Sequence, residues 1–233
     1  MTLKKLLLVL SIIILSTQIQ TNACEQQLEK ENVIQTRIDS VGTTLLNTNK
    51  IPRRIVFVYN KKDKKALLST NKALTKRQII IYDGLYQSIQ TDDELAAMLA
   101  REISTAVKTY DGMWGGTLDT LEIALGSKKF ETYADKRAVD YMVNAGYNPL
   151  ALIIFINKTC PQKRFDRFSR HNLTSKRLAR IYEYITYKYP QYLENNELIE
   201  NEYYQNFLLT SLENRIKLKE KIINKSTEEI KYE

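Results

Sequence analysis

The alternation of apolar and polar positions divides the first half of the chain into one long helix and several short strands. In residues 25–47 apolar side chains recur about every third or fourth position, which predicts an amphipathic helix. The segments 54–60, 66–69 and 77–84 are instead rich in β-branched and aromatic residues, and we expect a short strand in each. A short helix is expected directly after the last of them.

The second half has the spacing of consecutive helices. Thr91 and Glu94 have the positions of a capping box, which predicts a helix of about 17 residues that ends near Lys108. Gly146 and Pro190 mark the ends of two later helices. Further helices are predicted over 118–125, 129–146, 150–158, 174–189 and, as a charged tail, 194–224, and a basic loop is expected over 161–172.

The first 23 residues form a segment of their own. Lys4 and Lys5 precede the apolar run LLLVLSIIIL, and small residues follow, as in a secretory signal peptide. The run is shorter than the roughly 20 apolar residues of a membrane-spanning helix. We expect cleavage after Ala23 and secretion across the inner membrane, to the periplasm or the cell envelope. Lipidation of Cys24 is an alternative, although Thr21 stands where a lipobox has leucine, and an uncleaved anchor is another.

Charge and cysteine content narrow the function classes. Loss of the leader removes two lysines and no acids, so the formal net charge falls from +8 to +6. No nucleic-acid recognition motif accompanies this charge, so we expect a solvated surface with some attraction to an anionic membrane, and no nucleic-acid partner. Cys24 and Cys160 could form one disulfide, but their spacing does not require it, and a small buried Cys160 is the preferred interpretation.

These observations predict one mostly helical α+β domain with a small sheet. The expected organisation is a signal peptide at 1–23, a domain at 24–193 and a charged helical tail at 194–233. Gly and Pro number only 7 and 4, which is low for an all-β or a disordered chain.

The helix after the capping box carries the pentad REIST, residues 101–105, where a zinc protease would have His-Glu-x-x-His. In that motif two histidines one turn apart bind zinc, and the glutamate is the general base for the metal-bound water. Here Arg101 and Thr105 stand at the ligand positions and Glu102 stands at the base position. Glu102 falls on the apolar side of its helix, where an unpaired charge is costly, and a partly exposed glutamate is the alternative.

Two further segments contain candidate site residues. Glu131 and Asp135 are four residues apart, so they share a helix face, as a metal-binding carboxylate and its hydrogen-bonding partner would. Carboxylates at this spacing are also common on solvated helices. His171 is the only histidine of the chain and precedes Arg177 by six residues at the start of a helix. A lone histidine in a loop is usually a surface residue.

Taken in order, these segments resemble the family-48 zinc metallopeptidases, the HtpX and CAAX-prenyl-protease type that also includes Oma and periplasmic chaperone-proteases. The resemblance covers most of the mature chain. It is carried by the following segments: IIIYDGLYQSIQTDDELAAMLAREIS, ETYADKRAVDYMVNAGYNP and HNLTSKRLARI. It implies a zincin-like fold and a metallopeptidase ancestry.

Position by position, the resemblance implies that Glu131 is the third zinc ligand and that Asp135 is its hydrogen-bonding partner. It makes Glu102 the general base, and it places His171 and Arg177 near the metal-bound water or the oxyanion. The strand at 77–82 would lie beside the substrate groove. Asn172 departs from the family, which has proline there, and the connection of 25 residues between Thr105 and Glu131 is short for it, so part of the groove wall is expected to be missing.

The loss of both histidines changes the expected chemistry. Arginine stays protonated and cannot bind a metal, so no zinc cofactor is expected unless the site has been rebuilt. We expect Arg101 to replace the positive charge of zinc by an internal ion pair with Glu131.

The sequence leads to three alternative hypotheses about function. The favoured one is a non-catalytic pseudo-peptidase of the cell envelope that holds a polypeptide or envelope protein in the former groove or along its tail. The alternative is an active zinc-dependent endopeptidase with non-standard ligands drawn from Glu102, Glu131 and His171. A third is a basic protein that binds anionic surfaces, for which salt-sensitive binding is expected.

Overall fold

The computed structural model is mostly helical, with a small parallel sheet, which confirms the α+β class. It describes residues 3–51, 55–61, 78–110, 127–160 and 173–233; the side chains of residues 3–24, 108–110 and 127 are outside this description. The predicted strand at 66–69, helix at 118–125 and loop at 161–172 lie outside the described residues.

The elements follow one another in an order that separates a long first helix and two strands from a run of helices. The helices and strands are α1 Leu3–Thr48, β1 Val56–Asn60, β2 Gln78–Tyr82, α2 Asp83–Tyr86, α3 Asp92–Tyr110, α4 Ser127–Asn144, α5 Ala151–Thr159, α6 Thr174–Lys188, α7 Gln191–Glu194, α8 Glu202–Thr210 and α9 Leu212–Ile223. β1 pairs with β2 in parallel, with Val56 opposite Gln78.

Local sequence signals determine where several helices begin and end. The hydroxyl of Thr91 accepts a hydrogen bond of 3.2 Å from the backbone N–H of Glu94, as the capping box predicts. The Glu94 carboxylate in turn accepts from the backbone N–H of Gln90 at 3.2 Å. After α4, Gly146 has a φ of +81°, the left-handed conformation that stops a helix and favours glycine.

α1 is longer than the predicted helix, because it continues through the leader and across the expected cleavage position. Cleavage after Ala23 therefore stays a prediction. Gly42 of α1 faces the ring of Phe57 on β1 so closely that a Cβ at this position would collide with it. Within the described part of the chain, no helix is both long enough and apolar enough to span a bilayer.

α5 lies at the centre of the hydrophobic core. All of its residues from Ala151 to Ile156 are buried, as a helix that is apolar on every side requires. α3 packs against α1, α4 and α5, and α6 packs against α4 and α5. α3 and α6 therefore both pack against α4, and the candidate site lies where these three helices meet.

The predicted tail at 194–224 is divided into separate helices. The side chain of Asn201 caps α8 by accepting hydrogen bonds from the backbone N–H groups of Tyr203 and Tyr204, and α9 begins after Ser211. Tyr204 and Phe207 are buried in the same core as the rest of the chain. Aromatic residues within the tail therefore anchor it to the helices that precede it.

Candidate functional site

Charged residues from α3, α4 and α6 meet in one buried cluster. Its members are the side chains of Arg101, Glu102, Glu131, Asp135 and Arg177, which we call the ion cluster. Glu102, Glu131, Asp135 and Arg177 are each at most 5% exposed. Every described position that the family resemblance assigns to a metal centre, apart from Thr105, thus contributes a charge to the same interior region.

Asp135 is the centre of the ion cluster. Its Oδ1 accepts hydrogen bonds from Arg177 Nη2 at 2.8 Å and from Arg101 Nε at 3.1 Å, and its Oδ2 accepts from Arg177 Nε at 2.9 Å. The two parallel bonds from Arg177 form the planar fork in which guanidinium and carboxylate fit best. One carboxylate of α4 is thereby tied to both α3 and α6.

Arg177 also contacts the other carboxylate of α4. Its Nη1 lies 3.3 Å from Glu131 Oε1 and donates to Cys160 Sγ at 3.5 Å. Burial by itself lowers the pKa of this guanidinium, but the attraction of Asp135 and Glu131 outweighs burial and raises the pKa above its ordinary value. Arg177 is therefore charged at every physiological pH.

The pairing of Arg101 differs from the prediction. Its Nε donates to Asp135 and its Nη1 donates to Glu102 Oε1 at 3.2 Å, whereas the guanidinium that contacts Glu131 is that of Arg177. The expected Arg101–Glu131 ion pair is wrong in its partner. Asp135 lies one turn beyond Glu131 on α4, and the packing of α3 against α4 brings Asp135, not Glu131, to Arg101.

The remaining predicted site residues have separate outcomes. Glu102 is buried on the apolar side of α3, which is one of the two placements that its spacing left open. The Thr105 hydroxyl donates to the backbone carbonyl of Arg101 at 3.0 Å, one turn earlier in the same helix. His171 lies outside the described residues, so its predicted approach to the site stays a prediction. Cys160 is half-buried, with a free thiol that accepts from Arg177.

The described residues of this site do not fit a catalytic zinc ion. Such a site needs three nitrogen, sulfur or carboxylate ligands and one open position. Both oxygens of Asp135 accept from guanidinium groups, and Glu131 Oε1 faces Arg177. Among the described residues, no group of three histidine, cysteine or acidic side chains could hold a metal. The arrangement stabilises buried carboxylates by arginine instead.

A second buried ion pair lies at the start of α3, where the sequence predicts only a helix cap. Lys158 Nζ, on α5, lies 3.2 Å from Glu94 Oε2, and Glu94 is only 2% exposed. The capping role of Glu94 follows from the local sequence, but its contact with a lysine 64 positions later has no local signal. The available signal is that Glu94 caps a helix between apolar neighbours, because a carboxylate buried there needs a cation close to it.

The comparisons with known proteins do not extend this picture. No protein-family model matches the chain, and no curated protein or solved structure matches it significantly. The resemblance to family-48 metallopeptidases therefore depends on the residues themselves and stays a prediction. The architecture is that of a mostly helical α+β protein whose α3, α4 and α6 enclose the ion cluster.

Proposed function

We propose that this protein is a non-catalytic, metallopeptidase-like binding protein of the cell envelope, with a zincin-like fold. One observation supports it above all. Positions that the resemblance assigns to a metal centre lie far apart in the chain, yet the described ones meet in the ion cluster. A chance resemblance gives no reason for Arg101, Glu131 and Arg177 to converge.

The chemistry of the ion cluster favours binding over catalysis. In an active member of the family, the glutamate at the position of Glu102 deprotonates a water molecule that zinc activates. Without the metal, Glu102 has no activated water to deprotonate. Here the group beside Glu102 is the guanidinium of Arg101, which donates hydrogen bonds and cannot bind a metal. Arg101 therefore stabilises the buried carboxylates and contributes no hydrolytic chemistry.

The same substitution accounts for a fold that persists without the metal. Carboxylates that lose a neighbouring cation inside a protein destabilise it by several kcal/mol, about 3–5 in measured cases. Arg101 supplies a positive charge to Asp135 from the helix that would have carried the zinc ligands. The scaffold is thereby kept for another use, and we expect that use to be the binding of a polypeptide or an envelope protein beside β2.

The deciding experiment restores the two histidines. The double variant Arg101→His with Thr105→His recreates His-Glu-x-x-His on α3 and removes the guanidinium beside Glu102, while Arg177 still pairs with Asp135. Metal content is measured after incubation with zinc and desalting. We expect no stoichiometric zinc in the unmodified protein and about one zinc per chain in the double variant. Adding Glu131→Gln should remove that zinc.

The other outcomes are equally informative. Zinc bound one-to-one by the unmodified protein, and lost with Glu131→Gln, would contradict the proposal and support an active endopeptidase with non-standard ligands. No zinc in a folded double variant would contradict the zincin-like arrangement itself. Far-UV circular dichroism distinguishes that result from unfolding. Retention of a permanently unfolded polypeptide by the zinc-free protein, without cleavage, tests the binding role directly.

A further inference from the structure

A large cavity lies between α4, α6 and α9. It measures about 700 Å³, is open to solvent, and is lined by α4, α6, α9 and the residues that follow α9. Small-molecule sites typically span about 300–1,000 Å³, so its size suits a ligand. Arg101, Asp135 and Arg177 are not among the described residues that line it, so this cavity is separate from the ion cluster.

The lining of the cavity is strongly basic. Basic side chains from three helices line it: Lys128, Lys129 and Lys136 of α4, Arg180 of α6 and Lys221 of α9. Glu183 and Glu229 are the two carboxylates among the described lining residues, which leaves a surplus of three positive charges. Cations held together in this way repel one another unless an anion lies between them.

Contacts within the walls hold several of these cations in place. Lys221 Nζ lies 3.1 Å from Glu183 Oε1, and Arg180 Nη1 donates to the Thr132 hydroxyl at 3.2 Å. Lys136 Nζ lies 5.4 Å from the centre of the Tyr184 ring, within cation–π distance. The fold therefore positions Lys221, Arg180 and Lys136, while the side chains of Lys129 and Lys136 are exposed to solvent.

The first turn of α4 adds to the positive potential. Helices favour acidic residues in this turn, because the backbone N–H groups there carry partial positive charge. α4 instead begins with Lys128 and Lys129 and has no acidic residue in its first turn. Among the described residues Lys129 and Lys136 have no carboxylate partner. A bound anion would offset both the positive potential of this helix end and the charge of the two lysines.

We propose that this cavity binds a phosphate-bearing ligand. A single carboxylate cannot neutralise cations from three helices, whereas a phosphate group has several acceptor oxygens and up to two charges. Tyr184 and Tyr187 in the walls offer apolar faces to the rest of the ligand. The phosphate belongs to a soluble phosphorylated molecule or to the headgroup of an anionic lipid. The site does not depend on the function proposed above.

The test uses the full chain and two probes at low ionic strength. Isothermal titration calorimetry measures the binding of inorganic pyrophosphate, and flotation measures binding to vesicles of phosphatidylglycerol, with phosphatidylcholine vesicles as the neutral reference. The cavity variant is Lys129→Gln with Lys136→Gln. The matched control is Lys30→Gln with Lys219→Gln, which removes the same charge from exposed positions outside the cavity.

We expect the cavity variant to bind the preferred probe about tenfold more weakly, because two charge contacts are lost, and the control to bind like the unmodified protein. Pyrophosphate binding without vesicle binding indicates a soluble ligand. Vesicle binding that pyrophosphate displaces indicates a lipid headgroup. The proposal is overturned if neither probe binds, or if the cavity variant and the control weaken binding equally, since attraction would then be diffuse.

Discussion

Two of the carboxylate–cation contacts between α4 and α6 lie in opposite environments. In the buried contact the side chains of Asp135 and Arg177 are 3% and 6% exposed, and in the outer contact those of Asp140 and Lys188 are 19% and 47% exposed. Water can replace a lost partner in the outer contact and cannot do so in the buried one. Similar pairs on the same two helices should therefore contribute very differently to stability.

The largest effect is expected from Arg177→Met, which keeps an unbranched apolar stem and removes the guanidinium group with its charge. Asp135 loses its fork and Glu131 loses a cation, so the free energy of unfolding should fall by about 3–5 kcal/mol. Urea unfolding followed by circular dichroism measures this. The matched control is Arg37→Met, whose arginine pairs with the exposed Asp92 and should cost less than about 1 kcal/mol. Equal losses in the two variants would refute the comparison.

Lys158→Met tests whether burial alone determines the effect, because Glu94 is as buried as Asp135 but lies elsewhere. A loss of about 2 kcal/mol is expected, smaller than for Arg177. Glu94 keeps the hydrogen bond from the backbone of Gln90 and the favourable field at the start of α3. The same unfolding assay applies, and a loss no larger than that of an exposed pair would show that water reaches Glu94.

In the outer contact, Lys188→Met should lower the free energy of unfolding by less than about 1 kcal/mol. Asp140 still accepts hydrogen bonds from the hydroxyls of Tyr184 and Tyr189, both at 2.9 Å, and it is partly solvated. Unfolding curves recorded side by side with Arg177→Met make the comparison direct. A loss above about 3 kcal/mol for Lys188→Met would mean that the outer contact contributes as much to stability as the buried one.

The smallest expected effect concerns alkaline pH. Burial and the Asp140 carboxylate raise the pKa of Tyr189 to about 12, above its ordinary value near 10. The resulting stabilisation is complete below pH 10 and is lost as the pH rises towards 12. Between these values the stability of Tyr189→Phe should therefore decline less than that of the unmodified protein. Parallel declines in a pH series of unfolding curves would show that Tyr189 is not coupled to Asp140.

Features encoded locally were predictable from the sequence. The capping residue Thr91 and the stop at Gly146 both follow from spacings within one or two helical turns, and each is present. Spacing also places Glu102 on the apolar side of α3, but it left open whether the side chain is buried, as it is. The β-branched content of residues 54–60 and 77–84 likewise indicates strands, and strands occur within both. Their parallel pairing was not predicted, because pairing direction depends on the connection and not on the strand residues.

The partners within the ion cluster could not be predicted to the residue. The sequence places Glu131 and Asp135 on one face of α4, but they lie one turn apart, and a small shift of α3 along α4 decides which of them meets Arg101. Asp135 and Arg177 are separated by 42 positions, and Glu94 and Lys158 by 64. Contacts at such separations depend on the packing of whole helices, which no local pattern specifies.

The central position of Asp135 also has a consequence for folding kinetics. Its two guanidinium partners lie 34 positions before it and 42 positions after it, so its hydrogen bonds form only when three helices have docked together. Contacts of such long sequence separation form slowly, because a long stretch of chain must be ordered first. A collapsed chain with a helix out of register would leave charges in an apolar interior. Asp135 thus makes misregistered states unfavourable, because only the native packing of the three helices pairs its carboxylate with both guanidinium groups.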